Sequence, residues 1–358
     1  MGLKQLFFSF LLCFFLFACA SRPPLKLEGA YSSWSKSDYI LVGERHLNPC
    51  DHLIEAKVLD LLLQKGIRPV LGLEMVDVTY QKVLDDFLAQ KISIQELPQK
   101  LNWDKTWGYD FAFYAPLFKR AKEYQLKIIA LNIPKAILKK WTQDKKLTPY
   151  EQNLMPYFYQ PPTSKQKEFL AKQFHEHQSF LPNFSVKINS FLKGQALWES
   201  KMAEQAFWAR KKYNSPVVIY IGSGHLEGGF GLQKRLHLLD PLATIFAFLP
   251  KTNPSDSKTF NPSLYYYTCP ETPHKRTFRL GLWLIKKDKS IQIKAVKPKS
   301  KADLAGLKKG DIILEVNKQK IHDLWQLHKL ALKAIQNKSR LEFKIRREKE
   351  ILTLNLEL

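Results

Sequence analysis

A glutamate, two histidines and a cysteine crowd together in the stretch YILVGERHLNPCDH, residues 39–52. Carboxylate and imidazole side chains bind metal ions and act as general acids and bases. Further polar residues, Glu74, Asn132 and His225, follow other short apolar runs. A single residue of this kind is also typical of a helix cap or a satisfied hydrogen bond, but four such ends in one chain indicate a shared site.

Short runs rich in Val, Ile and Leu precede these polar residues. The runs are apolar throughout and span residues 39–44, 69–75, 127–132 and 216–224. Such runs are typical of strands buried on both faces of a parallel sheet. Helical patterns separate them, for example over residues 52–66, where Gly66 is a common helix stop. The alternation predicts an α/β fold with a mainly parallel sheet flanked by helices, and the carboxyl ends of its strands should meet in one ligand-binding crevice.

One chemistry available to this crevice is metal-dependent hydrolysis. A divalent metal such as zinc or manganese would be held by Glu44, His46, His52 and His225. The catalytic set would be Glu44, His46, Glu74 and His225, with one glutamate as general base. A serine hydrolase is disfavoured because Gly222-Ser223-Gly224-His225 does not fit the G-x-S-x-G motif. A dinucleotide site is disfavoured because Glu227 stands where the motif requires glycine.

The first 18 residues have the pattern of a secretion signal. A lysine precedes an uncharged run from Leu6 to Ala18, which is too short for a comfortable bilayer span. The run ends in Leu-Phe-Ala-Cys, which resembles a bacterial lipobox and predicts that Cys19 carries lipid, including palmitate, as the mature N-terminus. The alternative is an ordinary signal peptide that ends near a cysteine. We expect a lipid-anchored protein of the bacterial cell envelope that faces the periplasm, and Ala20 favours the outer membrane.

Charge and cysteine content bear on partners and compartment. Cys50 and Cys269 remain once the signal and the lipid account for the other two cysteines, and the sequence leaves open whether they pair. The net charge is +23, and the residues from Lys275 onward hold 22 Lys and Arg against 9 Asp and Glu. A lipoprotein has little access to nucleic acid, so the candidates are anionic lipid, an anionic ligand or a merely solvated basic surface.

Six motifs in a fixed order resemble those of a known family. They are VGERH with a following His, LGLEM, WGYDFAFYAPL, IIALNIP, QALWESKMA and IGSGHLEGGFGL. In this order, from about residue 35 to about residue 240, the chain resembles the ChaN-like haem-binding lipoproteins, which are related to the Tiki, TraB and erythromycin-esterase group. The resemblance implies an α/β sheet with a helical excursion, haem binding and a role in iron acquisition. Hydrolysis in the wider group keeps the metal-dependent hydrolase as the alternative, and a homodimer remains open.

The resemblance also implies which residues contact haem. The motif positions are Glu44, His46, His52, Glu74, Gln195, Met202 and His225, and the residues expected to bind haem among and beside them are His46, His52, Glu74, Gln195, Glu199 and His225. Glu199 stands where the family has Asp. A helix predicted over residues 188–209 places Gln195 near Trp198 and Met202, for which we expect core packing. Tyrosine ligation in the family makes Tyr109 a further site residue, with the other candidates being Tyr114, Tyr157 and Tyr159.

The end of the chain reads as a separate unit, in keeping with a 358-residue length that exceeds one hydrophobic core. FRLGLWLI and KSKADLAGLKKGDIILEVN follow the order of a PDZ domain, a small β-barrel with a helix. Leu280, Gly281 and Leu282 match the loop that binds a peptide's C-terminal carboxylate, so a protein partner is expected. A PDZ domain that only packs is the alternative. The expected segments are a signal (1–18), a tether (19–34), an α/β domain (35–250), a linker (251–274) and a PDZ domain (275–358).

Overall fold

The computed structural model describes most of the chain beyond the first 30 residues. The described residues are 31–179, 188–251, 263–269, 280–287, 290–321, 326, 327, 330, 331, 333, 334, 337 and 339–358. The predicted signal segment and Cys19 lie outside them. Within the described part, none of the helices combines the length and the apolar character needed to cross a bilayer.

Six parallel strands form the larger sheet. They are β1 (Tyr39–Glu44), β2 (Val70–Asp77), β3 (Ile128–Asn132), β4 (Val217–Gly222), β5 (Ile245–Pro250) and β6 (Leu264–Tyr267). The strand order is β3-β2-β4-β1-β5-β6, and every neighbouring pair is parallel. β1 and β4, in the middle, are buried at every position because helices cover both faces. The predicted parallel sheet is confirmed, and each of the four apolar runs contains one strand.

Helices cover the two faces of this sheet and form an excursion beyond it. They are α1 (Tyr31–Trp34), α2 (Pro49–Gln64), α3 (Gln81–Leu88), α4 (Leu97–Lys100), α5 (Trp103–Thr106), α6 (Phe111–Glu123), α7 (Lys135–Thr142), α8 (Pro149–Asn153), α9 (Ser164–Ser179), α10 (Ile188–Tyr213) and α11 (Leu232–Leu239). One core joins α2, α3 and α6 to one face, and another joins α10 and α11 to the other face. α7 to α9 form the helical excursion between β3 and α10.

The order of the connections places a crevice at the carboxyl ends of β1 and β4. The chain leaves β1 into α2 on one face of the sheet and leaves β4 toward α11 on the other face. Because β1 and β4 are neighbours, the outgoing segments diverge between them. Such a switch point is the usual ligand site of an open parallel sheet.

Local sequence explains where α2, which begins beside this crevice, starts and ends. Asn48 accepts a hydrogen bond from the Cys50 N–H at 3.0 Å, and Pro49 occupies the first turn, where a missing N–H costs nothing. The helix ends before Gly66, whose φ of +76° favours glycine. The predicted glycine stop is therefore found.

Part of the expected linker is structured. Leu264–Tyr267 adds to the sheet as β6, and the Tyr267 hydroxyl donates to the Gly43 carbonyl at 2.8 Å. Aromatic residues favour strands, and this preference outweighs the surrounding prolines. Just beyond β6, Cys269 forms a disulfide with Cys50 in α2, which answers the question that the sequence left open.

The second sheet is antiparallel and belongs to the C-terminal part. It comprises β7 (Leu282–Lys287), β8 (Ser290–Val296), β9 (Ile312–Val316), β10 (Gln319–Lys320), β11 (Leu341–Arg347) and β12 (Glu350–Leu356), with α12 (Lys301–Leu304) between β8 and β9. The order is β12-β11-β9-β8-β7, with β10 paired to β9. Gly281 precedes the edge strand β7 with φ +82°, and a Cβ there would lie 2.2 Å from Ser300. The predicted two-part fold, with a PDZ-type sheet, is confirmed.

Candidate functional site

Glu44 ends β1 with its carboxylate buried in the crevice. Its Oε1 accepts hydrogen bonds from the Tyr114 hydroxyl at 3.0 Å and from Nδ1 of His46 at 2.6 Å. Its Oε2 lies 3.9 Å from Nε2 of His52 and has no hydrogen-bond partner among the described residues. A buried carboxylate oxygen without a partner is costly and calls for an explanation, such as a ligand.

His46 is the most open of these side chains, with 29% of its surface exposed. Its ring packs against Trp107 and Tyr109, with centroid distances of 4.9 and 4.6 Å. Burial lowers the pKa of His46, but the hydrogen bond and charge of Glu44 outweigh this, so the pKa lies above its usual value. A Cβ at Gly222 would lie 2.8 Å from the ring's Cε1, so glycine is needed there.

His225 is held between two buried carboxylates. Its Nε2 lies 3.3 Å from Oε1 of Glu74, and its Nδ1 lies 3.2 Å from Oε1 of Glu199. Burial lowers the pKa of His225, but Glu74 and Glu199 together raise it to about 10. Both ring nitrogens are therefore engaged, and at neutral pH the ring is a cation.

Glu74 is the carboxylate that links the two histidines. Burial raises its pKa, but the charges of His225 and His46 and the Gly222 N–H at 2.6 Å outweigh this, so the pKa is lowered. The group is ionised at neutral pH, in keeping with its cationic neighbour.

Arg235 in α11 completes this network, and sequence reasoning missed it. The side chain is fully buried, and its Nη1 lies 2.7 Å from Oε2 of Glu199. It also bonds Ser200 Oγ and the Gln160 carbonyl. In the sequence it is one basic residue in an amphipathic helix, so no motif distinguished it from a solvated arginine.

Gly231 explains part of the glycine-rich stretch. A Cβ there would lie 2.2 Å from the His225 carbonyl oxygen and 2.8 Å from Oε1 of Glu199. The glycine thus lets Glu199 approach the backbone that carries His225.

His52 supports the crevice from α2. Its Nδ1 pairs with Glu55 at 2.8 Å, its Nε2 lies 3.1 Å from the His46 carbonyl oxygen, and its ring stacks on Phe113. Burial lowers the pKa of His52, but Glu55 outweighs this and raises it to about 9. A charged ring donates from both nitrogens, so His52 fixes the His46 backbone.

The residues predicted on α10 divide between the network and the core. Met202 is fully buried in the core between α10 and the sheet, as expected. Trp198 is partly buried against the same core, and its ring packs edge-on against His225 at 5.2 Å. Gln195 Oε1 and Trp198 Nε1 are buried without a hydrogen-bond partner in the described part of the chain.

The tyrosine candidates lie in different surroundings. Tyr114 is fully buried and donates to Glu44. Tyr157 is 93% exposed, and Tyr159 packs against Trp141. Tyr109 borders the crevice, where burial and the charges of Glu44 and Glu74 raise its pKa. The geometry therefore brings Tyr109 together with His46.

The side chains predicted to hold a metal in a hydrolase are paired with one another or with neighbouring carboxylates. Glu44 pairs with His46, His52 with Glu55, and His225 with Glu74 and Glu199. Within the described residues, no three or more His, Cys, Asp and Glu side chains are grouped as a metal site.

A separate cleft of about 780 Å³ lies beside β5, and its described lining, which includes Lys36, Lys234 and His237, contains none of the predicted site residues. Sequence reasoning brought Glu44, His46, His52, Glu74, Glu199 and His225 to one place and named Tyr114 as a candidate, and the structure adds Glu55 and Arg235.

Comparisons with known proteins agree with this architecture. Residues 30–236 match the family model described as "Haem-binding uptake, Tiki superfamily, ChaN", and residues 279–358 match a PDZ domain model. A solved structure described as "Cofacial heme binding to ChaN of Campylobacter jejuni" is 19% identical, with a TM-score of 0.51, and the match covers 67% of this chain and 89% of that chain.

Two other solved structures are more remote. The HtrA3 PDZ domain bound to a phage-derived ligand is 23% identical over 22% of this chain and 81% of that chain, with a TM-score of 0.20. A succinoglycan biosynthesis protein is 12% identical over 64% of this chain and 70% of that chain, with a TM-score of 0.39. No curated protein matches the chain.

Proposed function

The chain belongs to the ChaN-like haem-binding family and carries a C-terminal PDZ domain, and from this premise we propose that it binds haem at the crevice of its parallel sheet. Haem is the cargo of this function, and the protein's part is to hold it. The observation that carries the proposal is the arrangement of the His46 ring, which is fixed at one nitrogen by Glu44 and is partly exposed.

His46 has the features of an iron-binding histidine. Its Nδ1 is fixed by the buried Glu44 carboxylate, and no hydrogen bond to its Nε2 forms among the described residues. Histidines that bind metals usually bond a carboxylate through one nitrogen, which orients the ring and raises the basicity of the other nitrogen. We assign Nε2 of His46 as the candidate iron ligand.

The surroundings of His46 fit a flat, largely apolar group with polar edges. Trp107 and Tyr109 offer aromatic surface beside the imidazole, and the Tyr109 oxygen is a second candidate ligand. The unpartnered N–H of Trp198 is a hydrogen-bond donor suited to a carboxylate such as a haem propionate. The residues present therefore fit haem.

The cell-envelope location is part of the proposal. A lipid on Cys19 would tether the protein to the outer membrane on its periplasmic side, where a haem-binding protein would serve iron uptake. The Cys50–Cys269 disulfide supports this location because disulfides persist in oxidising compartments.

The PDZ domain supplies a module for a protein partner. The loop of Leu280, Gly281 and Leu282 precedes the edge strand β7, to which a peptide can add while the loop amides bind its carboxylate. We propose that a protein with a suitable C-terminus is recruited there.

A hemin titration with metal analysis tests the proposal. Residues 20–358 are titrated with hemin and followed by visible spectroscopy, and the same preparation is analysed for bound metal. We expect saturable binding with a ligand-specific spectrum and no stoichiometric zinc or manganese. The titration also gives the number of haems per chain, a question raised by the cofacial haems described for the Campylobacter protein.

The opposite result would favour the hydrolase. Stoichiometric zinc or manganese without a specific haem spectrum would contradict haem binding and make Glu44, His46, Glu74 and His225 the centre of a hydrolytic site. The structure favours binding, since His225 uses both nitrogens in pairs with carboxylates.

A further inference from the structure

We propose that the amino edge of the parallel sheet is a docking surface for an anionic lipid membrane. The amino edge is the surface formed by the segments that precede the strands, namely residues 36–38, 65–69, 124–127, 211–216 and 240–244. The inference rests on the proposed lipid anchor and gives it an orientation. With this edge on the membrane, the haem crevice at the carboxyl edge faces away from it.

Backbone hydrogen bonds show that these segments form one surface. The N–H of Tyr39 donates to the Thr244 carbonyl at 3.0 Å, and the N–H of Val217 donates to the Asp38 carbonyl at 2.9 Å. Further along, Val70 donates to Pro216 and Leu71 to Lys127. All the segments therefore adjoin at the end of the sheet where parallel strands begin.

The amino edge carries an excess of exposed positive charge. The exposed cations are Lys36, Lys65, Arg68, Lys127 and Lys212. The edge's own acids, Asp38 and Asp240, are matched by Arg210 and Lys211. The exposed acid beside it is Glu123, at the end of α6. Basic residues at an anionic bilayer each contribute on the order of 1 kcal/mol to binding, so several together hold a surface against the membrane.

At the carboxyl edge, two basic residues lie near acids. Arg45 there forms a two-pronged pair with Asp51, with N–O distances of 2.8 Å. Lys135 faces Asp77, whose charge acts against the lowering of the Lys135 pKa by burial.

Large apolar side chains project beside the basic residues. Leu242, between α11 and β5, is 97% exposed, and Trp208 in α10 is 56% exposed. Trp208 lies four residues before Lys212, so the two side chains share one face of the helix. Tryptophan beside lysine is typical of surfaces that enter the headgroup region of a bilayer.

The path of the chain agrees with this orientation. Residues 20–30 separate Cys19 from Tyr31, where α1 begins, and α1 leads to the amino end of β1. Eleven residues span at most about 40 Å, enough to bring the edge to the membrane. The chain leaves β6 at the carboxyl edge, so the PDZ domain is connected from the other end of the sheet.

Vesicle binding by the wild type and by two charge-reversal variants tests the docking surface. Residues 20–358 without lipid are sedimented with phosphatidylglycerol–phosphatidylcholine vesicles and with phosphatidylcholine vesicles. We expect binding to the anionic vesicles that falls at least about tenfold in Lys65→Glu with Lys127→Glu. The control is Lys145→Glu with Lys146→Glu, exposed residues of the helical excursion that alter net charge equally. An equal loss in both variants, or equal binding to the two vesicle types, would overturn the proposal.

A local probe gives a second measurement. An environment-sensitive fluorophore attached at Leu242→Cys should shift to shorter wavelengths on anionic vesicles, while the same label at Lys145→Cys should not. No shift at position 242 would contradict the docking surface. Palmitate labelling of the full chain in cells tests the lipid on Cys19 separately. If the chain is not labelled but its amino edge still binds vesicles, the lipid anchor alone is refuted. If the chain is labelled but fails the vesicle test, the docking surface alone is refuted.

Discussion

At the scale of single residues, the site is a set of charge pairs that hold two histidines in different states. Glu44 fixes one nitrogen of His46 and leaves the ring partly open. Glu74 and Glu199 use both nitrogens of His225. We conclude that His225 organises the crevice, whereas His46 is placed to contact a ligand.

The pKa of His225 predicts how stability depends on pH. Its value is raised from 6.5 to about 10 in the folded chain. The stabilisation is therefore complete below about pH 6.5 and is lost as the pH rises through about 10, on the order of 5 kcal/mol in total. We expect the difference in unfolding free energy between wild type and His225→Gln to shrink over this range. A difference that stays constant from pH 6.5 to 10 would contradict the paired cation.

The buried Arg235 predicts a strong effect at a position without a motif. Arg235→Met removes one of the two cations that face the buried Glu199 and leaves only His225, so we expect a loss of about 3 kcal/mol of unfolding free energy in urea. Adding Glu199→Gln should restore part of this loss, because the buried carboxylate that lost its arginine is removed. Purely additive effects of the two substitutions would contradict the pair.

At the scale of elements, the sequence predicted four of the six parallel strands, but neither β5 and β6 nor the order of the strands. The apolar runs identified β1 to β4 because a strand buried on both faces has no polar positions. β6 was missed since Leu264–Tyr267 is short and lies among prolines and polar residues, and its pairing with β5 depends on a long-range contact. Arg235 was missed because helical periodicity does not distinguish a buried arginine from a solvated one. The position of the crevice could be predicted from the polar residues at the strand ends. The partner of each histidine could not, because it depends on the direction in which each side chain points in the folded chain.

The close approach of β4 to His46 predicts a contrast between neighbouring glycines. Gly222→Ala places a Cβ 2.8 Å from the His46 ring, whereas a Cβ at Gly224 meets nothing within 4 Å. We expect Gly222→Ala to weaken hemin binding by about tenfold through displacement of the ring. Gly224→Ala is the matched control, and equal affinities in the two variants would contradict the assigned position of His46.

The disulfide between Cys50 in α2 and Cys269, just after β6, predicts a contribution to the free energy of unfolding. It closes a loop over 219 residues of sequence, for which chain entropy gives a stabilisation of about 5 kcal/mol. Urea unfolding of Cys50→Ser with Cys269→Ser should show a loss approaching this value, and reduction of the wild type should reproduce it. Equal stability of the oxidised and reduced wild type would show that the bond is not formed.

At the scale of the whole molecule, the parallel sheet separates two functions at its two ends. The crevice with His46 lies at the carboxyl edge, and the exposed cations lie at the amino edge. The PDZ-type sheet is a second unit with its own core. We propose that the protein is a lipid-anchored member of the haem-binding family whose amino edge rests on the membrane and whose crevice faces away from it.

The measurement that tests haem binding most directly is a hemin titration of His46→Ala against His237→Ala, a histidine of α11 that lines the separate cleft. Both are made in residues 20–358 and followed by visible spectroscopy. We expect His46→Ala to lose at least about tenfold in affinity and to change the spectrum of the iron, while His237→Ala binds like the wild type. Unchanged affinity and spectrum in His46→Ala would contradict the assignment of the crevice as the haem site.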